Sequence, residues 1–174
     1  MLKRFGALAA LILLSFFLWQ PALAADREWV LAFARGAESA HTGIVRLTYR
    51  QPLRDNGAWW TPSQIQLGVG VWHAPDIRGT TRRVDLSATP VWRDDTPWGY
   101  IEGGIGLYLL SKTVNNEENR LPSSFQFGSH VGTGLRLGKS ATVGIVYQHL
   151  SNAGIKQPNG GINLVMVTAS LAIE

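Results

Sequence analysis

Two side chains suited to ester chemistry stand two positions apart in His149-Leu150-Ser151-Asn152-Ala153-Gly154. Residues i and i+2 of a strand point the same way. A hydroxyl and an imidazole on one face can serve as nucleophile and base when a third group orients the ring. His149 and Ser151 continue the row Val143, Ile145, Tyr147, opposite Thr142, Gly144, Val146 and Gln148. The chemistry therefore sits on the more apolar face. In a soluble protein that face is core. In a membrane barrel it meets lipid, where a lipid-modifying enzyme needs it. The next segment, Pro158-Asn159-Gly160-Gly161-Ile162-Asn163, leads into a further alternating run with Asn163 in the row of Val165, Val167, Leu171 and Ile173. His149, Ser151 and Asn163 can thus converge across one hairpin.

Eight alternating segments surround this pair, approximately Glu28 to Glu38, Gly43 to Leu53, Ser63 to His73, Thr81 to Arg93, Trp98 to Lys112, Ser124 to Gly138, Ala141 to Ser151 and Gly161 to Ile173. Turn-forming stretches separate them, among them Asp55-Asn56-Gly57, Asp94 to Pro97 and Asn115 to Pro122. In the third segment Ile65, Leu67, Val69 and Val71 oppose Gln64, Gln66, Gly68 and Gly70. The first segment is the least regular. Alternation alone fits a soluble barrel or an inverted one. The polar rows favour the inverted form: they are rich in glycine, which suits a crowded eight-stranded interior. They also carry Arg46, Arg50, Arg83 and Arg136 with Asp85 and Glu102 as available partners. An even strand number fits a bacterial outer-membrane barrel. The expected fold is all-β, an eight-stranded antiparallel transmembrane β-barrel. With both termini periplasmic, the seventh segment ends outside the cell.

The first residues read as an export signal. Lys3 and Arg4 precede an apolar run from Leu8 to Trp19, and Ala22-Leu23-Ala24 fits a cleavage site. The run is short for a membrane-spanning helix. Residues 1–24 are thus expected as signal peptide and 25–174 as the barrel domain. Loss of Lys3 and Arg4 lowers the formal net charge from +4 to +2, a balance that suggests no nucleic-acid partner. The chain has no cysteine, which removes disulfides, cysteine nucleophiles and cysteine-based metal sites. Six of the seven tryptophans lie beyond the signal, many near strand ends, as membrane-interface belts require. The chain ends Ala172-Ile173-Glu174, without the terminal aromatic residue usual in outer-membrane proteins.

Over His149 to Asn159 the chain closely resembles the PagL family of outer-membrane lipid A 3-O-deacylases. Weaker similarity covers Phe127 to Leu137, Ile101 to Leu107 and Thr89-Pro90-Val91. The resemblance implies hydrolysis of the ester-linked 3-hydroxyacyl chain at position 3 of lipid A by a serine-hydrolase mechanism, with no cofactor or metal. It implies lipid A (lipopolysaccharide) and the outer membrane as partners, and leaves a homodimer open. Carried over, Ser151 is the nucleophile and His149 its base. The family's third member is acidic, whereas this chain has Asn163. Asn can orient the ring but cannot balance an imidazolium. Changing Asp to Asn in a serine triad costs about 10⁴ in turnover when it selects the wrong tautomer. Glu117 and Glu118 in the preceding outer loop are the available acidic stand-ins. Asn152, Gly154 and Asn159 are the expected oxyanion and substrate-binding residues, through backbone N–H groups and a side-chain amide.

A non-catalytic structural or adhesive barrel with a lapsed site is the main alternative, and Asn163 is its support. A barrel acyltransferase and a lipocalin-like carrier are further readings. His130 is expected in the interior network, and His73 and His41 near strand ends. Lys156 is a loop cation able to meet lipid A phosphates. Cleavage after Ala24 predicts a mature chain beginning at Ala25. Intact-mass measurement on protein isolated from membranes checks this, and retention of residues 1–24 would contradict it.

Overall fold

The computed structural model describes residues 27–37, 41–53, 60–74, 81–115 and 120–173. The expected signal segment, 1–24, lies outside them. The described strands are β1 (Arg27–Gly36), β2 (Gly43–Pro52), β3 (Gln64–Ala74), β4 (Thr81–Asp95), β5 (Gly99–Leu110), β6 (Val114–Asn115), β7 (Arg120–Leu121), β8 (Phe125–Leu137), β9 (Ala141–Ser151) and β10 (Ile162–Ile173). Eight close into a barrel in the order β1-β10-β9-β8-β5-β4-β3-β2, while β6 and β7 pair with each other. Every neighbouring pair is antiparallel. Closure leaves no barrel strand with an unpaired edge, the condition for crossing hydrocarbon with β-structure.

The barrel is inside out. Ile105 is 64% exposed and Leu171 61% exposed, whereas Arg46 is 5% and Asp85 0% exposed. The irregular first segment obeys the same rule: Val30, Ala32 and Ala34 face in, while Trp29, Leu31 and Phe33 face out. An eight-stranded barrel is just wide enough for its own side chains to fill. A Cβ added to Gly70 would collide with the Asp85 carboxylate, and one added to Gly134 would meet the Tyr100 ring. The inward glycines therefore make room for larger groups on facing strands.

Paired charges fill much of that room. Arg46 donates from Nη2 to Asp85 Oδ2 at 3.0 Å and from Nη1 to Gln148 Oε1 at 2.8 Å. Trp72 Nε1 also donates to Asp85 Oδ2. Arg50 bridges Glu102 at 2.9 Å and Glu28 at 3.2 Å. His130 faces this group, with Nε2 3.9 Å from Glu102. The other two expected partners of the interior acids go elsewhere. Arg83 donates to the backbone oxygens of Thr113 and Ala74 at 2.9 and 3.2 Å. Arg136 reaches Asp95 at 2.6 Å at the opposite end. Alternation fixes a residue's face but not its partner: Arg83, two residues from Asp85 on β4, turns to backbone oxygens instead, and Arg136 lies four positions beyond Gly132, the residue opposite Glu102.

At the end reached by β9, the interior turns apolar. Trp72, Leu110, Leu150, Ile162 and Leu164 form one cluster with Val114 and Leu121. The last two belong to β6 and β7; Leu121 lies inside the stretch read from sequence as a turn, Asn115 to Pro122, and Val114 just before it. Their hairpin folds over this end and buries both side chains completely. Gly161 N–H donates to the Arg120 backbone oxygen at 3.3 Å, tying the hairpin to the turn before β10.

Asp85→Asn should leave Arg46 with no compensating charge and destabilise the barrel by roughly 3 kcal/mol, the scale for breaking a buried pair. Equilibrium urea unfolding in lipid vesicles measures this. Arg46→Met combined with Asp85→Leu should cost less than Asp85→Asn alone.

Candidate active site

β9 carries His149 and Ser151 in its outward row, and both are half-buried. β10 presents Asn163 directly opposite His149 in the ladder. Their side chains join, with His149 Nδ1 2.7 Å from Asn163 Oδ1. An amide oxygen can only accept, so this contact requires the proton on Nδ1. The lone pair is then on Nε2, the arrangement a general base needs. Asn163 thus selects the useful tautomer without supplying a negative charge. No hydrogen bond joins Ser151 to His149 in this structure. Catalytic hydrogen bonds are often long before substrate binds.

Gly161 fixes the space beneath the ring. Its φ is +69°, a conformation that costs other residues dearly. A Cβ there would lie 2.8 Å from His149 Cε1 and 3.0 Å from the Leu150 backbone oxygen. Only glycine allows the turn to pass this close to the imidazole.

The connecting segment is braced by its own side chains. Asn152 is 1% exposed. Its Nδ2 donates to the Lys156 backbone oxygen at 2.9 Å and to Ser123 Oγ at 3.3 Å. Its Oδ1 accepts from Gly154 N–H at 3.0 Å, and its own backbone N–H donates to Asn159 Oδ1 at 3.2 Å. The backbone donors of Asn152 and Gly154 are therefore engaged within the loop. Two donors beside Ser151 are not: among the described residues, neither Ala153 N–H nor Asn159 Nδ2 has a partner. Ala153 holds a φ of 53°, which turns the chain sharply after Asn152.

Neighbours on β8 complete the wall. Ser129 stands opposite His149, and Phe127 opposite Ser151. Phe125 and Phe127 meet edge to face with centroids 5.0 Å apart. Sequence reading did not single out Ser129, Phe127 or Ser123 as site residues. Only the β8–β9 register would have pointed to the first two. Glu117 and Glu118 lie outside the described residues. Among the described residues, no three His, Asp or Glu side chains group as a metal site.

The chain is similar to known proteins over most of its length. The family description lipid A 3-O-deacylase (PagL) matches residues 43–172. The chain is 38% identical over 146 residues to lipid A deacylase PagL of Bordetella bronchiseptica, covering 77% of this chain and 82% of that protein. To lipid A deacylase PagL of Pseudomonas aeruginosa it is 35% identical over 173 residues, 92% and 94% of the two chains. The crystal structure of the outer membrane enzyme PagL superposes with a TM-score of 0.65 at 26% identity, covering 84% of this chain and 99% of that one. A homodimer gains no support from these likenesses.

Gly161→Ala should displace the imidazole by a substantial fraction of an ångström. A misplacement of about 1 Å can cost about 10² in rate, and turnover of an ester substrate by the refolded variant should fall on that scale. Unchanged turnover would show that the turn does not hold the ring.

Proposed function

The chain belongs to the lipid A 3-O-deacylase (PagL) family and is an outer-membrane β-barrel, and on that premise we propose that it hydrolyses the ester-linked 3-hydroxyacyl chain at position 3 of lipid A in the outer leaflet. The contact between His149 and Asn163 carries this reading. It sets the tautomer of an imidazole that shares an outward face with Ser151.

Ser151 Oγ attacks the acyl carbonyl as His149 Nε2 takes the hydroxyl proton. The oxyanion that forms meets Asn159 Nδ2 and Ala153 N–H, the two uncommitted donors next to the nucleophile. Collapse breaks the ester bond, and His149 returns the proton to the departing 3-hydroxyl of the sugar. A water molecule, deprotonated by His149, then attacks the acyl-serine. The free 3-hydroxy acid leaves and Ser151 regains its proton. The apolar wall around Phe125 and Phe127 suits the acyl chain. Between the two proton transfers His149 is an imidazolium, steadied by the dipole of Asn163 rather than by a charge. Hydrogen bonds to a charged group are roughly twice as strong as neutral ones, so this site works below the rate a carboxylate would allow.

The second reading is a barrel whose site has lapsed. It draws on Asn163 and on the absence of a Ser151–His149 hydrogen bond. Cleavage of the signal after Ala24 belongs with either proposal, since both need export.

Mass spectrometry of lipid A incubated with the refolded protein separates them. Wild type should release one 3-hydroxyacyl chain, and Ser151→Ala none. Asn159→Ala should slow release by about 10²–10³, and Asn163→Glu should speed it by about tenfold, the worth of a charge-assisted bond over a neutral one. No release by wild type together with release by Asn163→Glu would establish the lapsed barrel.

A further inference from the structure

On β1 to β4 the ladder aligns Leu31, Leu47, Val69 and Leu86 in one outward row, and Phe33, Val45, Val71 and Val84 in the next. These side chains are large, apolar and exposed. One step further toward the strand ends, the row becomes Arg35, Gly43, His73 and Arg82. Arg35, His73 and Arg82 are exposed. Among the described residues, none of them has an ion-pair partner. Every described carboxylate (Glu28, Asp85, Asp94, Asp95, Glu102) lies in the interior or at the far end, so no described acid faces this row.

An arginine on the lipid face is costly at mid-membrane and cheap where hydrocarbon gives way to headgroups. Two complete apolar rows ending in a cationic one mark that boundary. With strands about 5 Å apart, His73 and Arg82 sit roughly 5 Å from each other and Arg35 roughly 10 Å from His73. Gly43 leaves the gap between Arg35 and His73 without a side chain. A guanidinium presents its donors as a fork that fits phosphate oxygens.

We propose that the β1–β4 wall binds a second lipid A molecule, its phosphates on Arg35, His73 and Arg82 and its acyl chains along the two apolar rows. This lipid is not the one hydrolysed. The rows that would carry its chains lie under β1 to β4, whereas Ser151 stands between β8 and β10. Arg35 marks the seam, since it pairs with Val165, two residues from Asn163. The wall thus keeps a phosphorylated glycolipid beside the catalytic face. The inference rests on the outer-leaflet placement in the proposed function, but its readout is binding and needs no hydrolysis.

Native mass spectrometry of the refolded mature barrel tests it, in a Ser151→Ala background so that lipid is not consumed. The probes are bis-phosphorylated lipid A, the same lipid with both phosphates removed, and phosphatidylglycerol. The parent should retain two molecules of the bis-phosphorylated lipid. Arg35→Gln and Arg82→Gln should each weaken retention of one of them about fivefold, the worth of one cation near an anionic surface, and the variant that also carries His73→Gln should retain a single molecule. The dephosphorylated lipid and phosphatidylglycerol should not fill the second place. Each variant's folding is checked by heat-modifiable gel mobility. Equal retention by the triple variant would overturn the proposal, as would equal retention of either control lipid. So would a raised KM for deacylation when the three substitutions are made in active protein, because the cations would then serve the substrate. If wild type fails to hydrolyse lipid A while the second molecule still depends on the cations, the activity is wrong and the site stands.

Discussion

A bilayer core offers a peptide group no water, so each N–H and C=O must find its partner in the chain. Every other feature of this molecule follows from how that demand is met. Eight strands close on themselves, β10 returning to β1, and the ladders pair their backbone groups, the β4–β5 ladder skipping Thr89 and Pro90. Pairing in turn imposes strict alternation, so each residue is either lumen or lipid. His149 and Ser151 fall on the lipid side by parity. Asn163 joins them because antiparallel register sets it opposite His149.

The same closure creates the problem that the interior solves. A lumen eight strands wide is too narrow for a channel and has to be packed. Polar residues occupy it because the apolar ones are needed outside. Buried charge is tolerable only when balanced, and the two main groups are: Arg46 with Asp85, and Arg50 and Arg93 with Glu102 and Glu28. Glycines such as Gly70 yield the volume these long side chains take up. The rigidity of the plug supports the wall. Leu150 points inward between His149 and Ser151 and is completely buried in the apolar cluster at that end. His149 and Ser151 therefore ride on a strand whose intervening residue is locked.

Much of this was legible in the chain because a period of two is hard to counterfeit over ten residues. The eight barrel strands, their lumen rows and the contact of His149 with Asn163 all follow from counting positions. What escaped had no period to read. The β6–β7 hairpin consists of two bridges, too short to alternate, and was taken for a turn. Arg83 and Arg136 share the lumen face with Asp85 and Glu102 but bond elsewhere, since alternation does not say which neighbour a long side chain reaches. Ser129 and Phe127 beside the site required the β8–β9 register. The loop held a subtler lesson: Asn152 and Gly154 look like donors in the sequence, yet their N–H groups brace Asn159 and Asn152 in the structure.

A reactive group set on an outer wall rather than in a pocket changes what concentration means. Its ligand arrives sideways, within a fluid two molecules thick, and both halves of a cleaved lipid leave into that same sheet. Encounter then depends on mole fraction in the membrane. Adding an inert lipid slows such a catalyst although no molarity in the bulk has changed. Water comes from another direction, across the membrane surface. A lipid and a water molecule thus reach such a wall along perpendicular paths, one in the plane and one across it.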